Sequence, residues 1–97
     1  MSPITYGPEA AERIALSALA FIAADEEIGG AFLGATGATA DDLRAAATDP
    51  AFLVSVLDFL TGRDDWTFAF AEAEGLPPEA PLAARRALPG GEEVAWT

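Results

Sequence analysis

The stretch D-P-A-F-L-V-S-V-L-D-F-L-T-G, residues 49–62, decides the fold. Asp49 is a favoured N-cap residue, and Pro50 suits the first helical position because an amide hydrogen there has no intrahelical partner. Large apolar residues then occupy most of the helical circumference. The remaining stripe is small or polar and consists of Ala51, Ser55, Asp58 and Gly62. A helix with so little polar surface needs neighbours on nearly every side. We therefore predict an all-α, single-domain bundle of five or six short helices around a central hydrophobic helix at residues 50–61.

Length and composition set the broad class of the protein. The 97 residues suffice for one domain with a modest core. Cysteine is absent, which excludes disulfides and thiolate zinc sites. The N-terminus lacks the basic and apolar segments of a signal peptide, and the most apolar early run, residues 14–24, is too short to span a bilayer. We expect a cytoplasmic protein that does not enter the membrane.

The charge balance restricts the kinds of partner. The sequence contains 16 acidic and five basic residues, which gives a formal net charge of −11. Such a surface repels nucleic-acid phosphates and anionic lipid headgroups, so we expect neither nucleic-acid nor membrane binding. It attracts basic proteins, although an acidic coat is also a general means of keeping a protein soluble. Both interpretations stay open.

Turn residues divide the chain into three parts. Residues 1–7 have no periodicity and are expected to form a flexible N-terminus. Residues 8–91 are expected to form the helical domain. Residues 92–97 are a C-terminal tail that we expect to dock on the domain through Trp96, because a large aromatic side chain gains much from burial.

Within the helical domain, cap residues and glycines predict five helices besides the central one. Their expected bounds are 8–24, 25–36, 39–47, 66–74 and 82–88, with Asp64 or Asp65 as the cap of the fourth. The segment W-T-F-A-F-A-E-A-E-G at 66–75 also alternates like a strand. We predict a helix there, because Ala and Glu are poor strand residues and a lone strand would have no partner.

Glycines are unexpectedly frequent in the second helix. Gly29, Gly30 and Gly34 lie inside it, each costing about 1 kcal/mol relative to alanine. Gly30, Gly34 and Gly37 share one helical face and form a candidate close-packing groove, because small residues let another backbone approach. A neighbouring helix of the same domain is the first interpretation, and a ligand or partner is the alternative. Gly37 is also a natural residue to end the helix.

Three aromatic residues form a candidate partner surface. Trp66, Phe68 and Trp96 do not all fit easily inside so small a core. In a helix, Phe68 points away from the main apolar stripe, toward a second layer of core or toward solvent. Exposed aromatic side chains are typical anchors of protein–protein interfaces.

Residue types that usually catalyse reactions are missing. Histidine and cysteine are absent, and all five basic residues are arginines. Adjacent acidic residues diverge by about 100° on a helix and do not face each other. The short helix near Asp41 has one arginine and no other residue that reads DNA bases. We therefore predict no enzyme activity, no catalytic residue, no cofactor and no metal site, and we interpret Asp58 as the water-facing strip of its helix.

Four blocks of sequence resemble a known family. They are L-A-F-I-A-A-D at 19–25, D-P-A-F-L-V-S-V-L-D-F-L at 49–60, G-L-P-P-E-A-P at 75–81, and A-L-P-G-G-E at 87–92, followed by a tryptophan near the end. This pattern is similar to small bacterial proteins grouped as domain of unknown function thirty-five seventy-two. The resemblance covers about residues 9–97. It implies one domain and a bacterial cytoplasmic setting, and it transfers no functional residue.

Three functions agree with these observations. The first is a non-catalytic protein-interaction or regulatory module, supported by the acidic surface and the surplus aromatics. The second is an acidic decoy that mimics nucleic acid or binds a basic partner as an antitoxin does, which requires carboxylates along one face. The third is a metal binder that uses carboxylates alone. A homodimer through the glycine face or Phe68 is compatible with the sequence.

Overall fold

The computed structural model describes residues 5–89 and contains six α-helices in that range. They are α1 (Pro8–Ala24), α2 (Glu26–Thr36), α3 (Ala40–Ala46), α4 (Pro50–Thr61), α5 (Asp64–Glu74) and α6 (Ala80–Ala87). No strand occurs in this part of the chain, so the prediction of an all-α domain is confirmed. The tail at 92–97 and most of the predicted N-terminal segment lie outside the described residues.

Helix α4 is buried as its sequence predicts. Its residues Leu53, Val56, Leu57 and Leu60 are 0% exposed. The helix packs against α1, α5 and α6. A helix this apolar is stable in water only when its neighbours cover it, and burial of each leucine side chain contributes about 1.5–3 kcal/mol.

Helix α1 shares the central position with α4. It packs against α2, α4 and α6, and α6 closes the group by packing against both α1 and α4. Small side chains dominate these contacts, since Ala11, Ala15 and Ala18 of α1 and Ala80 and Ala84 of α6 are fully buried. Alanine side chains let helix axes approach closely. The core is therefore a three-helix unit, with α2 and α5 packed on its outside.

Local side-chain bonds fix where the helices begin. The Asp25 carboxylate accepts a hydrogen bond of 2.9 Å from the Ile28 amide at the start of α2. Thr39 and Asp42 form a reciprocal capping box at α3, with bonds of 3.1 and 3.0 Å. Asp49 caps α4. Each bond satisfies an amide that has no partner within its helix, which explains why so many acidic residues lie at helix starts.

Two predicted helix starts need correction. Helix α5 begins at Asp64 with Arg63 as its N-cap residue and no side-chain cap. The prediction that Asp64 or Asp65 caps this helix is wrong, because the Asp65 carboxylate binds the Arg63 guanidinium. Helix α6 begins at Ala80, two residues earlier than predicted. Pro81 lies in its first turn, where a missing amide hydrogen costs nothing.

Aromatic rings join α2, α4 and α5. The Phe32 ring is fully buried and meets the Phe52 and Phe59 rings edge to face, with centroid distances of 6.0 and 5.1 Å. Phe59 in turn lies 5.2 Å from the Trp66 ring. Such pairs add about 0.5–1.5 kcal/mol to the burial of the rings. They fix the outer helices on the three-helix core.

None of the six helices combines the length and the hydropathy needed to cross a bilayer.

Candidate functional site

Trp66 and Phe68 lie on opposite sides of α5. Two residues apart on a helix, they point about 200° apart. Trp66 is half-buried against Phe59, and the guanidinium carbon of Arg63 lies 4.3 Å from the centroid of its ring. Phe68 is 56% exposed. The structure therefore does not bring these two aromatics into one surface, and Trp96 lies outside the described residues.

Phe68 is an apolar side chain on an acidic face. Asp64 and Glu72, four residues before and after it, share its side of α5, and both are exposed. The sequence left open whether Phe68 lies in a second layer of core or in solvent, and the structure shows it in solvent. A single exposed aromatic is a small contact point, well below the size of a binding groove.

The predicted close-packing groove at Gly30, Gly34 and Gly37 does not receive another helix of the described domain. All three glycines are exposed, and no described atom lies within 4 Å of where a Cβ atom would be. The close approach occurs at Gly29, whose added Cβ atom would lie 2.9 Å from the backbone oxygen of Ile22.

The corner between α1 and α2 explains why Gly29, and not Gly30, closely approaches another backbone. Only Asp25 separates the two helices, so the first turn of α2 passes directly over the last turn of α1. The adjacent residue, Gly30, points about 100° away from that contact. Gly37 has the predicted terminating role, with a left-handed backbone at φ 72° that glycine adopts without strain.

Within residues 5–89, an open and mainly apolar groove lies between α1 and α3. Its cavity volume is about 380 Å³, and we name it the α1–α3 groove. Leu16, Leu19, Ala20 and Ala23 line it from α1, and Leu43, Arg44 and Ala47 line it from α3 and the residue after it. Leu16 is 38% exposed.

The α1–α3 groove exists because α1 is apolar on two faces. Ala18 and Ile22 point into the core. Leu16, Ala20 and Ala23 lie on the opposite face, beside the short helix α3. Leu43 is half-buried and joins α3 to the core. One seven-residue helix is too short to cover the whole outer face of α1.

A second cavity of about 360 Å³ adjoins the first and lies between α1 and α2. The two cavities share Ala23 and Leu43. Gly30 lines the second cavity, so one residue of the predicted glycine groove borders open apolar space. Asp25 and Glu26 also line it and place two carboxylates at this end of the surface.

The ion pairs of the described surface are formed by arginines. Arg44, beside the α1–α3 groove, bonds Asp41 at 3.3 Å. Arg63 donates two hydrogen bonds to Asp65, of 3.0 and 2.8 Å. These bonds lower the pKa of the Asp65 carboxyl and raise the pKa of the Arg63 guanidinium.

Asp58 has a structural contact that the sequence did not reveal. Its carboxylate accepts a 2.6 Å hydrogen bond from the Arg85 guanidinium and so joins α4 to α6. Asp58 is exposed, as its place on the water-facing strip predicts. Its partner is 27 residues away in the chain, and no local pattern signals such a pair.

The interior of the described domain is apolar. Within residues 5–89, no buried residue is polar or charged, and no three acidic residues are placed to hold a metal ion. Features of this part of the surface include the two adjoining apolar cavities, Phe68 and the arginine pairs.

Comparison with known proteins gives a match to a family model. The model of a family described as "Protein of unknown function (DUF3572)" matches residues 8–91. This range includes all six helices and agrees with the resemblance in the sequence blocks. No curated protein and no solved structure matches the chain.

Proposed function

The chain belongs to this family of unknown function, and from its described surface we propose that it is a non-catalytic module that binds another protein through the α1–α3 groove. The observation that carries this proposal is the apolar stripe of Leu16, Ala20 and Ala23 beside α3, which residues 5–89 leave uncovered. Apolar surface gains roughly 25 cal/mol for each Å² removed from water. A partner that covers the groove removes this apolar surface from water, and the complex gains the corresponding free energy of burial.

The pattern on α1 also supports a binding role. Its core-facing stripe packs against α4 and α6, and Leu16, Ala20 and Ala23 lie outside that stripe. Leu16, Ala20 and Ala23 follow each other at spacings of four and three, which is the pattern that helices use to dock on other proteins. Isolated surface leucines need no explanation, whereas Leu16 borders an apolar groove, and this position supports the proposed binding role.

The two alternatives have less support. An acidic decoy needs carboxylates along one face, but acidic residues occupy the first turns of α1, α2, α3 and α5. Part of their role is capping, as at Asp25 and Asp42. A carboxylate-only metal binder has no candidate cluster within residues 5–89.

Site-specific photocrosslinking tests the proposal. We place a photoreactive phenylalanine analogue at Leu16, or at Leu82 as the control, in cells that naturally produce the protein. The two residues are matched in exposure, at 38% and 40%, and Leu82 lies on α6, away from the groove. We expect a discrete crosslinked protein from position 16 only. No crosslink from position 16, or the same products from both positions, contradicts the proposal.

A further inference from the structure

We propose that the α1–α3 groove binds a basic amphipathic helix of another protein. This inference rests on the proposed function and adds the kind of partner. Three properties of the described surface support it: the length of the apolar stripe, the absence of a sheet edge from residues 5–89, and the charges at the two ends of the groove.

The length of the groove fits a short helix. From Leu16 to Ala23, α1 advances seven residues, or about 10 Å at 1.5 Å per residue. The adjoining cavity continues the apolar surface past Leu43 toward the start of α2. A helix that presents apolar residues at positions i, i+4 and i+7 spans the same distance with three anchors.

The lining of the groove favours a helix over an extended peptide. The lining residues contribute mainly apolar side chains, and residues 5–89 contain no strand whose edge could pair with a peptide. An extended peptide pressed on this lining would leave backbone amides and carbonyls without partners. A helix makes its backbone hydrogen bonds internally and presents only side chains to the groove.

Charges at both ends select a basic partner. Glu12 lies one turn before Leu16 on the same side of α1, and Asp25 and Glu26 lie at the far end of the surface. The last turn of α1 contains no basic residue to offset the partial negative charge of a helix C-terminus. The cation at the rim, Arg44, already bonds a carboxylate. Lysines or arginines flanking the apolar face of the partner would therefore find complementary charge.

The same charges disfavour a second copy of this chain as the partner. Each copy has a net charge of −11, so two copies repel each other at long range. The groove itself offers no set of cations that could offset this repulsion, since Arg44 is its one basic lining residue.

A designed peptide provides the probe. It contains only leucine and lysine, with leucines at helical spacing, and has about 14 residues so that it can form a helix on binding. Two controls match it: the same composition in scrambled order, and a version with glutamate in place of lysine. In fluorescence anisotropy at physiological salt, we expect the probe to bind and both controls to bind at least about tenfold more weakly.

Two matched variants locate the binding surface. Leu16→Gln places a polar group in the groove, and Leu82→Gln makes the same change on α6. Leucine and glutamine have similar helix propensities, so both variants keep their helices. We expect Leu16→Gln to weaken peptide binding by about tenfold and Leu82→Gln to change it by less than about twofold. In NMR spectra, the amide shifts caused by the peptide should centre on residues 16–23 and 43–47.

Each contrary outcome overturns the inference. Equal losses in both variants, or equal binding of the scrambled peptide, would show general electrostatic attraction. Amide shifts centred on Phe68 would locate the site on α5. A dimer in light scattering that Leu16→Gln dissolves would make a second copy the occupant. If the probe does not bind while Leu16 crosslinks to a protein in cells, the basic-helix inference fails and the proposed function stands.

Discussion

Alanine substitutions at two adjacent glycines of α2 should change stability in opposite directions. Gly30→Ala removes the cost of a helical glycine, about 0.8–1 kcal/mol, and its new methyl group meets no described atom within 4 Å. Gly29→Ala gains the same propensity term, but its methyl group would lie 2.9 Å from the Ile22 backbone oxygen. We therefore expect Gly30→Ala to stabilise the domain by about 1 kcal/mol.

The added methyl group at position 29 is costly because the Ile22 backbone, which it meets, cannot move independently of α1. The Ile22 side chain is buried in the core, and its carbonyl oxygen accepts a hydrogen bond from the Asp25 amide at 3.3 Å. Relief of the clash requires a shift of α1 relative to α2. Overpacking of this kind costs about 1–3 kcal/mol, which exceeds or cancels the helical gain. The expected net effect of Gly29→Ala is a destabilisation of roughly 0–2 kcal/mol.

Urea unfolding of both variants, followed by far-UV circular dichroism, measures the difference. The two variants should differ by about 1–3 kcal/mol in free energy of unfolding with an unchanged m-value. In thermal unfolding, each kcal/mol corresponds to about 4–8 °C for a domain of this size. Gly34→Ala is the control, because its surroundings are as open as those of Gly30. Equal stabilisation by all three substitutions would refute the close approach at Gly29.

Three further predictions concern the core and the ion pairs. Leu60→Ala should cost about 2–5 kcal/mol in urea unfolding, because the side chain is fully buried, and a loss below about 1 kcal/mol would contradict the central role of α4. A double-mutant cycle on Asp58 and Arg85 should give a coupling of about 0.3–1 kcal/mol that falls in high salt, whereas zero coupling would show that the pair is not formed in solution. Because its bond to Arg63 lowers the pKa of Asp65 in the folded protein, the ionised carboxylate stabilises the fold above the carboxyl's unfolded pKa. This contribution is lost as pH falls through the folded pKa. Carbon NMR titration should show the Asp65 midpoint rising in Arg63→Gln, and an unchanged midpoint would contradict the pairing.

Much of the fold followed from local sequence, because helix starts and stops are short-range interactions. Asp25 and Thr39 bond to amides three residues later, and such a pattern is visible in sequence. Gly37 and Gly75 end their helices in the left-handed conformation, which few other residues adopt easily. The ambiguous segment that forms α5 is predicted as a helix from the low strand propensity of Ala and Glu and from the lack of a partner strand.

The candidate site was less accessible to sequence reasoning. Leu16 lies outside the core stripe of α1, and its significance depends on how far α3 covers it. The helical pattern turns Phe68 away from the main apolar stripe but leaves open whether it is buried in a second layer. The structure shows Phe68 exposed, whereas Trp66 packs against the Phe59 ring of α4. The side of α5 that meets α4 depends on the packing of the whole domain, which no local pattern encodes.

The sequence by itself determined that the protein is all-helical, where most of its helices begin and end, and that α4 is buried. Only the tertiary structure decided that Gly29 and not Gly30 meets another backbone and that Asp58 pairs with Arg85. It also decided that the described helices leave an apolar groove open beside α1. The physical reason is the range of the interactions. Caps and apolar stripes act within a few residues, whereas the contacts between helices depend on crossing angles and rotations that the whole core sets together.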